Sequence, residues 1–583
     1  MNEYIDKRGI FVVKYLRNIY LRGIRMNLKL RIFRSALCLL TALMLVGICV
    51  MESYPVIAAG GDFEYKGKSY SRSEDVPRIY IEDARGVNVY DYVSCTVVAV
   101  DKKGGTLTSV ADNKATVRVR GNSTSSGAKK PYNIKFSANT DLFGMGKGKR
   151  FCLIANMYDP TLIRNHMVFG FAKELGLQYT LDSMLVDVYF NGTYVGCYQL
   201  CEAATEDDSR VDIDTSKGDY IIERDARTDA GTTYITTSLG HRFGINEPED
   251  TTNAQRIAIE NHLRMAENAI RSRDIEEVRK YFDLESIIDS YICLEFFKNV
   301  DVVVGSTRFY CKDGKIYGGP VWDYDLSSGN CSSTYYVDYN NNFGDSAEGI
   351  WCNHIWYDDL MLIDEYKQML YARYLEVQDL IVNLYKDNVL GENAIDRIIN
   401  GASKSIQNNF TKTAWRPSAI YCDLMRIPDK TYDENVEYLR SWLERRNKWL
   451  LKNWGLTSKV QPKLKDSSYK YTDLYLTGFS PMTSVLKLTD IFSEKVSINT
   501  VGEFIATGDV IRGKSASYYA VVGGDVNGDS KVNPVDYILL KQTLAKKHSL
   551  TGAYYQAACL GEKKPTEENC KKIKQLFLTG TLK

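Results

Sequence analysis

NVDVVVGSTRFYCKDGKIYGGPVWDYDLSSG, residues 299–329, sets one acidic residue, Asp301, before a pair of short alternating segments and two more, Asp323 and Asp325, after it. The segments RFYCK and KIYG flank Asp313-Gly314, and a DG step between alternating runs predicts a tight β-hairpin. Such a hairpin returns the chain to its starting point, so Asp301 and Asp323 are expected to approach one another. Carboxylates brought together at a hairpin mouth suit a divalent cation and phosphoryl transfer. They serve equally well to cap helices or pin loops.

Working outward, segments 254–272, 274–282 and 284–298 each carry an apolar stripe at helical spacing, and Cys293 in SYICLEFF reads as a buried thiol. Helices resume over about 355–455. The last of them sets Leu439, Trp442, Leu443, Trp449 and Leu450 along one side. Upstream the period changes to two. RIYIE (78–82), CTVVAV (95–100) and ATVRVRG (115–121) read as strands, as do MLVDVYF (184–190) and TYVGCYQL (193–200), joined by Asn191-Gly192, and GDYIIERD (218–225). One helix, 161–176, interrupts them. The expected order is therefore an α+β domain over 60–455, β-rich over about 60–225 and helical with an inserted hairpin over about 226–455. Residues 456–520 read as a small β spacer, with VLKLTD and YYAVVGG as strands, and 521–583 as a separate last module.

The 583 residues are 44% hydrophobic and 25% charged with a formal net charge of +1, which is ordinary for globular protein and gives no bulk electrostatic case for nucleic acid. The 41 tyrosines fit a secreted β-rich protein and a carbohydrate-facing surface alike. Basic residues from Lys7 to Arg34, the apolar run 36–50, then Ala58 and Ala59 follow the order of a secretory leader, so residues 1–59 are expected to be removed and the protein exported. A start at Met26 gives a leader of conventional length, and the apolar run is short for a membrane span. Of 13 cysteines, Cys38 and Cys49 fall in the leader, and no CxxC pair has zinc-finger spacing.

The most specific motif is DVNGDSKVNPVD, residues 525–536. Oxygen-bearing side chains fall at loop positions 1, 3, 5, 9 and 12 as Asp525, Asn527, Asp529, Asn533 and Asp536, and Lys531 at position 7 offers its carbonyl. A twelve-residue loop wraps Ca²⁺ in this way. With the apolar helix YILLKQTLA behind it and no helix before it, the segment resembles the dockerin type I family. That resemblance implies calcium binding and a cohesin module of a scaffoldin, in a cellulosome-type assembly, as partner. The equivalent second loop, CLGEKKPTEENC (559–570), has lost its ligands. Its Cys559 and Cys570 stand at positions 1 and 12, which converge in a working loop, and a disulfide between them is expected to replace the ion.

RGNSTSSGAKKPYNIKF (120–136), DPTLIRN (159–165), FNGTYVGCYQLCE (190–202) and above all NVD…VWDYDLSSGN, in this order and spacing, resemble the spore-coat-protein-H (CotH) kinase family over about residues 75–455. The resemblance implies an atypical, two-lobed, protein-kinase-like fold working on Mg²⁺ and ATP. Asp301 then takes the general-base or substrate-orienting role, Asp323 the metal-holding role and Asp325 that of a second ligand. Glu202 lies near the nucleotide. Lys130 is the best match to the family's basic position, with Lys135 a close rival. Ser306 stands where a kinase catalytic loop carries a metal-binding Asn. The glycine-rich FGMGKGK (143–149) lacks GxxxxGKS/T spacing and reads as a turn, and the five histidines have no ligand spacing. Three functions follow: a tethered phosphotransferase, a non-catalytic component of the assembly, or a carbohydrate-active accessory protein using the Asp301/Asp323 pair.

Overall fold

Alternation of apolar and polar residues in the first half of the chain closes into a barrel. The computed structural model describes residues 62–105, 109–121, 123–226, 232–338, 341–388, 391–420, 422–456, 462–472, 475–500, 502–513 and 517–580. The expected leader, with Met26 and its apolar run, lies outside the described residues, as does Asn122 of the RGN motif. A short hairpin, β1 (Phe63–Tyr65) and β2 (Lys68–Tyr70), precedes β3 (Arg78–Glu82), β4 (Val93–Val100), β5 (Val110–Val119), β6 (Tyr132–Asp141), β7 (Lys147–Ile154), β8 (Ser183–Phe190) and β9 (Thr193–Glu202). The last seven form a closed barrel in the order β3-β4-β5-β6-β7-β9-β8, shut by parallel pairing of β3 with β8. Every second residue points inward: Ile79 and Ile81, Val97 and Ala99, Ile134 and Phe136, Phe151 and Leu153, Val186 and Val188 share one buried cluster. Closure removes the free edges that a sheet this long would otherwise expose.

Between β7 and β8 runs helix α1 (Arg164–Leu175). A second sheet follows, built from β10 (Tyr220–Arg224), β11 (Thr233–Thr236), β12 (Arg242–Glu247), β13 (Thr307–Lys312) and β14 (Lys315–Gly318) in the order β11-β12-β10-β13-β14. Here β13 and β14 are the expected hairpin, and Asp313 (φ 51°) and Gly314 (φ 76°) both adopt the left-handed backbone that its turn requires. Inserted before it are α2 (Asn253–Ser272), started by a Thr252/Gln255 capping box, and α3 (Leu284–Phe296), capped by Asp283 and buried from Ile287 to its end. Helices α4 (Ser403–Asn409) and α5 (Tyr432–Asn453) follow. The Arg446 guanidinium of α5 and the Glu295 carboxylate of α3 form a fully buried ion pair, and Glu295 also accepts the backbone N–H of Trp351 at 3.1 Å. Separate sheets and helices make this an α+β architecture, and no helix among the described residues is long and apolar enough to cross a membrane.

At the C-terminus a third sheet, β15 (Lys470–Tyr471), β16 (Tyr475–Phe479), β17 (Ser497–Asn499), β18 (Val510–Arg512) and β19 (Ser517–Val522), precedes α6 (Pro534–Leu544), α7 (Gly552–Cys559) and α8 (Glu567–Thr579). Two expectations are corrected. VLKLTD is helical rather than a strand: the Ser484 hydroxyl accepts the Leu486 N–H and starts a 3₁₀ turn at Val485 that leads into a short helix over Leu488–Ile491. The expected boundary at residue 520 falls inside β19, and α7 packs on that strand through Val521, Ala553 and Ala557, so sheet and helices share a core there.

The Cys559–Cys570 disulfide is absent as well. Both thiols are free and buried. Cys559 ends α7 and Cys570 lies in the first turn of α8, while the Asn569 amide spans the connection, donating to the Cys559 carbonyl at 2.9 Å and accepting the Thr566 N–H at 2.7 Å. A side-chain amide therefore joins the two ends.

Candidate functional site

A cleft of about 670 Å³ opens where barrel, second sheet and the turn following α3 meet. Asp301, Asp323 and Asp325 all line it. Asp301 sits in a 3₁₀ turn just past α3, started by Asn299, whose side chain accepts the Asp301 N–H at 2.9 Å. The same Asn299 amide donates to the Asp323 carbonyl at 3.1 Å, so one buried side chain ties both acidic turns together. Tyr336 offers its phenol to Asp301 Oδ1 at 3.5 Å, and Ser306 its hydroxyl to Asp323 Oδ2 at 3.3 Å. Asp323 holds a left-handed backbone (φ 63°), unusual for a residue with a side chain and found where a site is tightly constrained.

The motif DPTLIRN supplies the brace. Asn165 accepts the Tyr324 N–H at 2.6 Å, and Arg164 Nε donates to the Ser327 carbonyl at 3.2 Å while its guanidinium pairs with Asp159. The first turn of α1 thus grips the WDYDLSS loop from behind. Burial raises the Asp323 carboxyl above its ordinary range against the pull of Arg120. Asp325 is raised further, by burial and then by the negative field of Asp323, Asp301 and Asp159. A cation would relieve that field.

Cations face the acids from the barrel and the second sheet. Arg118 and Arg120 leave β5 on one side, and Arg308 comes from β13. Arg120 and Arg308 pack on the Trp322 ring at 4.9 and 4.5 Å. Arg308 also pairs with Glu223 at 3.0 Å, whereas no ion pair joins Arg118 or Arg120 to a carboxylate among the described residues. None of these arginines was singled out in the sequence, although RVRG, with its two arginines at strand spacing, carried the signal.

The other expected nucleotide residues stand elsewhere. Lys130 donates to the Ser125 carbonyl at 2.7 Å, Lys135 is exposed on β6, and Glu202 pairs with Arg210 and accepts the Asp182 N–H at 2.8 Å. FGMGKGK runs from the β6–β7 turn into the start of β7. A Cβ at Gly148 would lie 2.4 Å from Arg210 Nη2, so this glycine makes room for the Glu202–Arg210 pair.

Lys129, beside Lys130, turns inward. Its amine donates to the Cys197 carbonyl and lies 4.5 Å from the Tyr198 ring centre, and burial pushes it down to about 8. Between about pH 8 and 10.5 the unfolded chain binds the extra proton, so this lysine's contribution to stability rises with pH through that window. Lys129→Met is expected to be more stable than the parent near pH 7 by about 2–4 kcal/mol, with the gap closing by pH 10.5. Denaturant unfolding of both proteins across this range measures it; a constant gap would contradict it.

The family model described as CotH kinase protein matches residues 117–450, more than half of the chain. This chain belongs to the CotH kinase protein family. The match contains Asp301, Asp323, Asp325 and the three cleft arginines of this CotH kinase-family chain. No curated protein matches it.

A second candidate site lies outside the matched region. In loop 525–536 the Asn527 and Asn533 amides both reach Asp529 Oδ2, at 2.9 and 3.1 Å. Asp525 accepts the N–H groups of Gly528, Asp529, Thr507 and Ser530, and Asp536 those of Val526, Asn527 and Asn533. Met482 donates to the Ser530 carbonyl at 3.0 Å, so the loop is fastened at two places, Met482 and Thr507, to the connections between strands of the third sheet. Among the described residues no three His, Cys, Asp or Glu side chains are already arranged as a metal-holding group.

Proposed function

We propose that this CotH kinase-family protein is an exported, kinase-like phosphotransferase that moves a phosphoryl group from Mg²⁺–ATP to a hydroxyl-bearing acceptor. The observation that carries the reading is one cleft lined by Asp301, Asp323 and Asp325 together with Arg118, Arg120 and Arg308. Mg²⁺ takes one or two carboxylates and fills its octahedron with phosphate oxygens and water, so Asp323 and Asp325 suffice to hold it. Bound there, the ion would neutralise charge on the transferring group. The arginines bind the phosphates through their planar forks. Asp301 orients the acceptor hydroxyl and takes its proton. Ser306, in place of the kinase asparagine, keeps Asp323 aligned through its hydroxyl. Calorimetry on the full chain tests this: Mg²⁺–ATP binds the parent, and Asp323→Ala weakens it at least about a hundredfold. Equal binding by both proteins overturns the reading.

The C-terminal loop extends the proposal. Asp525, Asn527, Asp529, Asn533 and Asp536, with the Lys531 carbonyl, hold Ca²⁺, and the module docks to a cohesin-type partner in a larger extracellular assembly. Support comes from the convergence of positions 3, 5 and 9. Export is supported by the leader-like order of residues 1–59.

A further inference from the structure

Two strands of the barrel wall carry a pair of thiols that the cleft chemistry leaves unused. Cys152 of β7 and Cys201 of β9 are direct partners in the antiparallel ladder, and both are free. Their neighbours Phe151, Leu153 and Leu200 fill the barrel, so by strand alternation both cysteines point outward, into the cluster that holds α1. Residues facing each other in such a ladder have Cα atoms about 4.5–5.5 Å apart, inside the range of about 4.4–6.8 Å that a disulfide requires. Among the described residues no other two cysteines are ladder partners.

The two thiols differ in their surroundings. Cys201 is fully buried. Cys152 keeps 6% of its surface and lines a cavity of about 180 Å³, which Arg118, Arg120 and Arg308 of the acidic cleft line as well. The Cys201 thiol hydrogen-bonds to Cys152 and, with the positive field of Arg120, Arg308 and Arg118, brings Cys152 down to about 6 despite its burial. Cys201 moves the other way: burial, and then the hydrogen bond it gives to Cys152, raise its thiol. Every other described thiol is raised by burial. A reactive thiolate reached through a small cavity, with a protonated thiol directly opposite, is the arrangement of an oxidant-reactive pair.

We propose that Cys152 and Cys201 form a redox site for a small hydroperoxide, with Cys152 attacking and Cys201 resolving. The Cys152 thiolate displaces hydroxide from hydrogen peroxide: an S–O bond forms, the O–O bond breaks, and the hydroxide takes up a proton to leave as water. Positive charge from the arginines around the cavity favours that departure. The Cys201 sulfur then attacks the Cys152 sulfenic acid. An S–S bond forms, the S–O bond breaks, and the Cys201 proton leaves with the hydroxyl as a second water. Two thiols thus give two electrons to one peroxide and end as a cross-strand disulfide. The cavity has room for only a few water-sized molecules, which suits hydrogen peroxide better than a bulky alkyl hydroperoxide. This chemistry stands independently of the phosphotransferase reading.

The test treats the reduced full chain, freed of reductant, with a small excess of hydrogen peroxide, alkylates it in denaturant and maps its peptides without reduction by mass spectrometry. Cys152 is expected to be joined to Cys201 at least about tenfold faster than any other cysteine is oxidised, and dithiothreitol to reopen the bond. In Cys201→Ala the sulfenic acid has no partner, so dimedone should label Cys152. In Cys152→Ala, peroxide should leave Cys201 a free thiol. Circular dichroism confirms that the variants are folded, and for a variant that does not fold the peptide map of the parent decides alone. Cys152 recovered as a free thiol, joined to a different cysteine, or oxidised no faster than the other thiols overturns the proposal. A folded Cys201→Ala protein whose Cys152 takes no dimedone overturns it too.

Discussion

Asp301→Asn is expected to bind Mg²⁺–ATP as the parent does and to transfer its phosphoryl group about 10²–10⁴-fold more slowly. The substitution keeps the shape of the side chain and an oxygen for the Tyr336 phenol, and leaves the Asn299 hydrogen bond to the backbone of residue 301 in place. What it removes is the proton acceptor. Asp301 lies in the acidic cleft but comes from a different turn than Asp323 and Asp325, the pair assigned to the metal. Loss of binding and loss of transfer should therefore separate: Asp323→Ala loses both, Asp301→Asn only the second. Single-turnover transfer to a hydroxyl acceptor, measured beside nucleotide calorimetry, reads the split. An Asp301→Asn protein that transfers at the parental rate would remove Asp301 from the chemistry and leave it a structural turn residue.

The acidic half of the cleft was legible in the sequence because its geometry is local. Asp313-Gly314 sets a two-residue turn, a two-residue turn returns the chain, and Asp301 and Asp323 flank it within one short stretch. The cationic half was not. Lys130 and Lys135 sit in the motif that resembles the family, but strand alternation and a loop contact decide where each side chain goes. Lys135 faces solvent, Lys130 is held to Ser125, and the cleft receives Arg118, Arg120 and Arg308 instead. Arg308 reaches it only because β13 lies beside β10 in the second sheet, a pairing of segments far apart in the chain. Barrel closure was hidden for the same reason: each strand announced itself by its period, while the β3–β8 pairing that shuts the ring depends on long-range register. VLKLTD failed differently, because a local cap at Ser484 outweighed its β-branched and aliphatic content.

Calcium is expected to tighten the C-terminal module, so that chelation exposes residues 525–580 to protease and Ca²⁺ restores protection. The loop is already folded by its own hydrogen bonds, and this determines which variant is informative. Asp525 is fully buried and accepts four backbone N–H groups, including that of Thr507 in the turn before β18. Replacing it by alanine would strand those donors and unfold the loop with or without an ion, at about 1–3 kcal/mol for each unsatisfied group. Burial also pushes the Asp525 carboxyl up to about 6, so removing its charge changes the loop for reasons unrelated to calcium. Asp529 is the better probe. It is exposed, and its Oδ2 is the point on which Asn527 and Asn533 converge. Asp529→Ala therefore takes away one charged ligand while the Asp525 and Asp536 scaffold stays. Because ligand charge count sets affinity in such loops, Ca²⁺ affinity should fall at least about tenfold, with the metal-free melting curve nearly unchanged. Titration calorimetry and limited proteolysis, each with and without chelator, check both halves. Identical proteolysis with and without calcium in the parent would show that hydrogen bonds alone hold this loop and that no ion is needed.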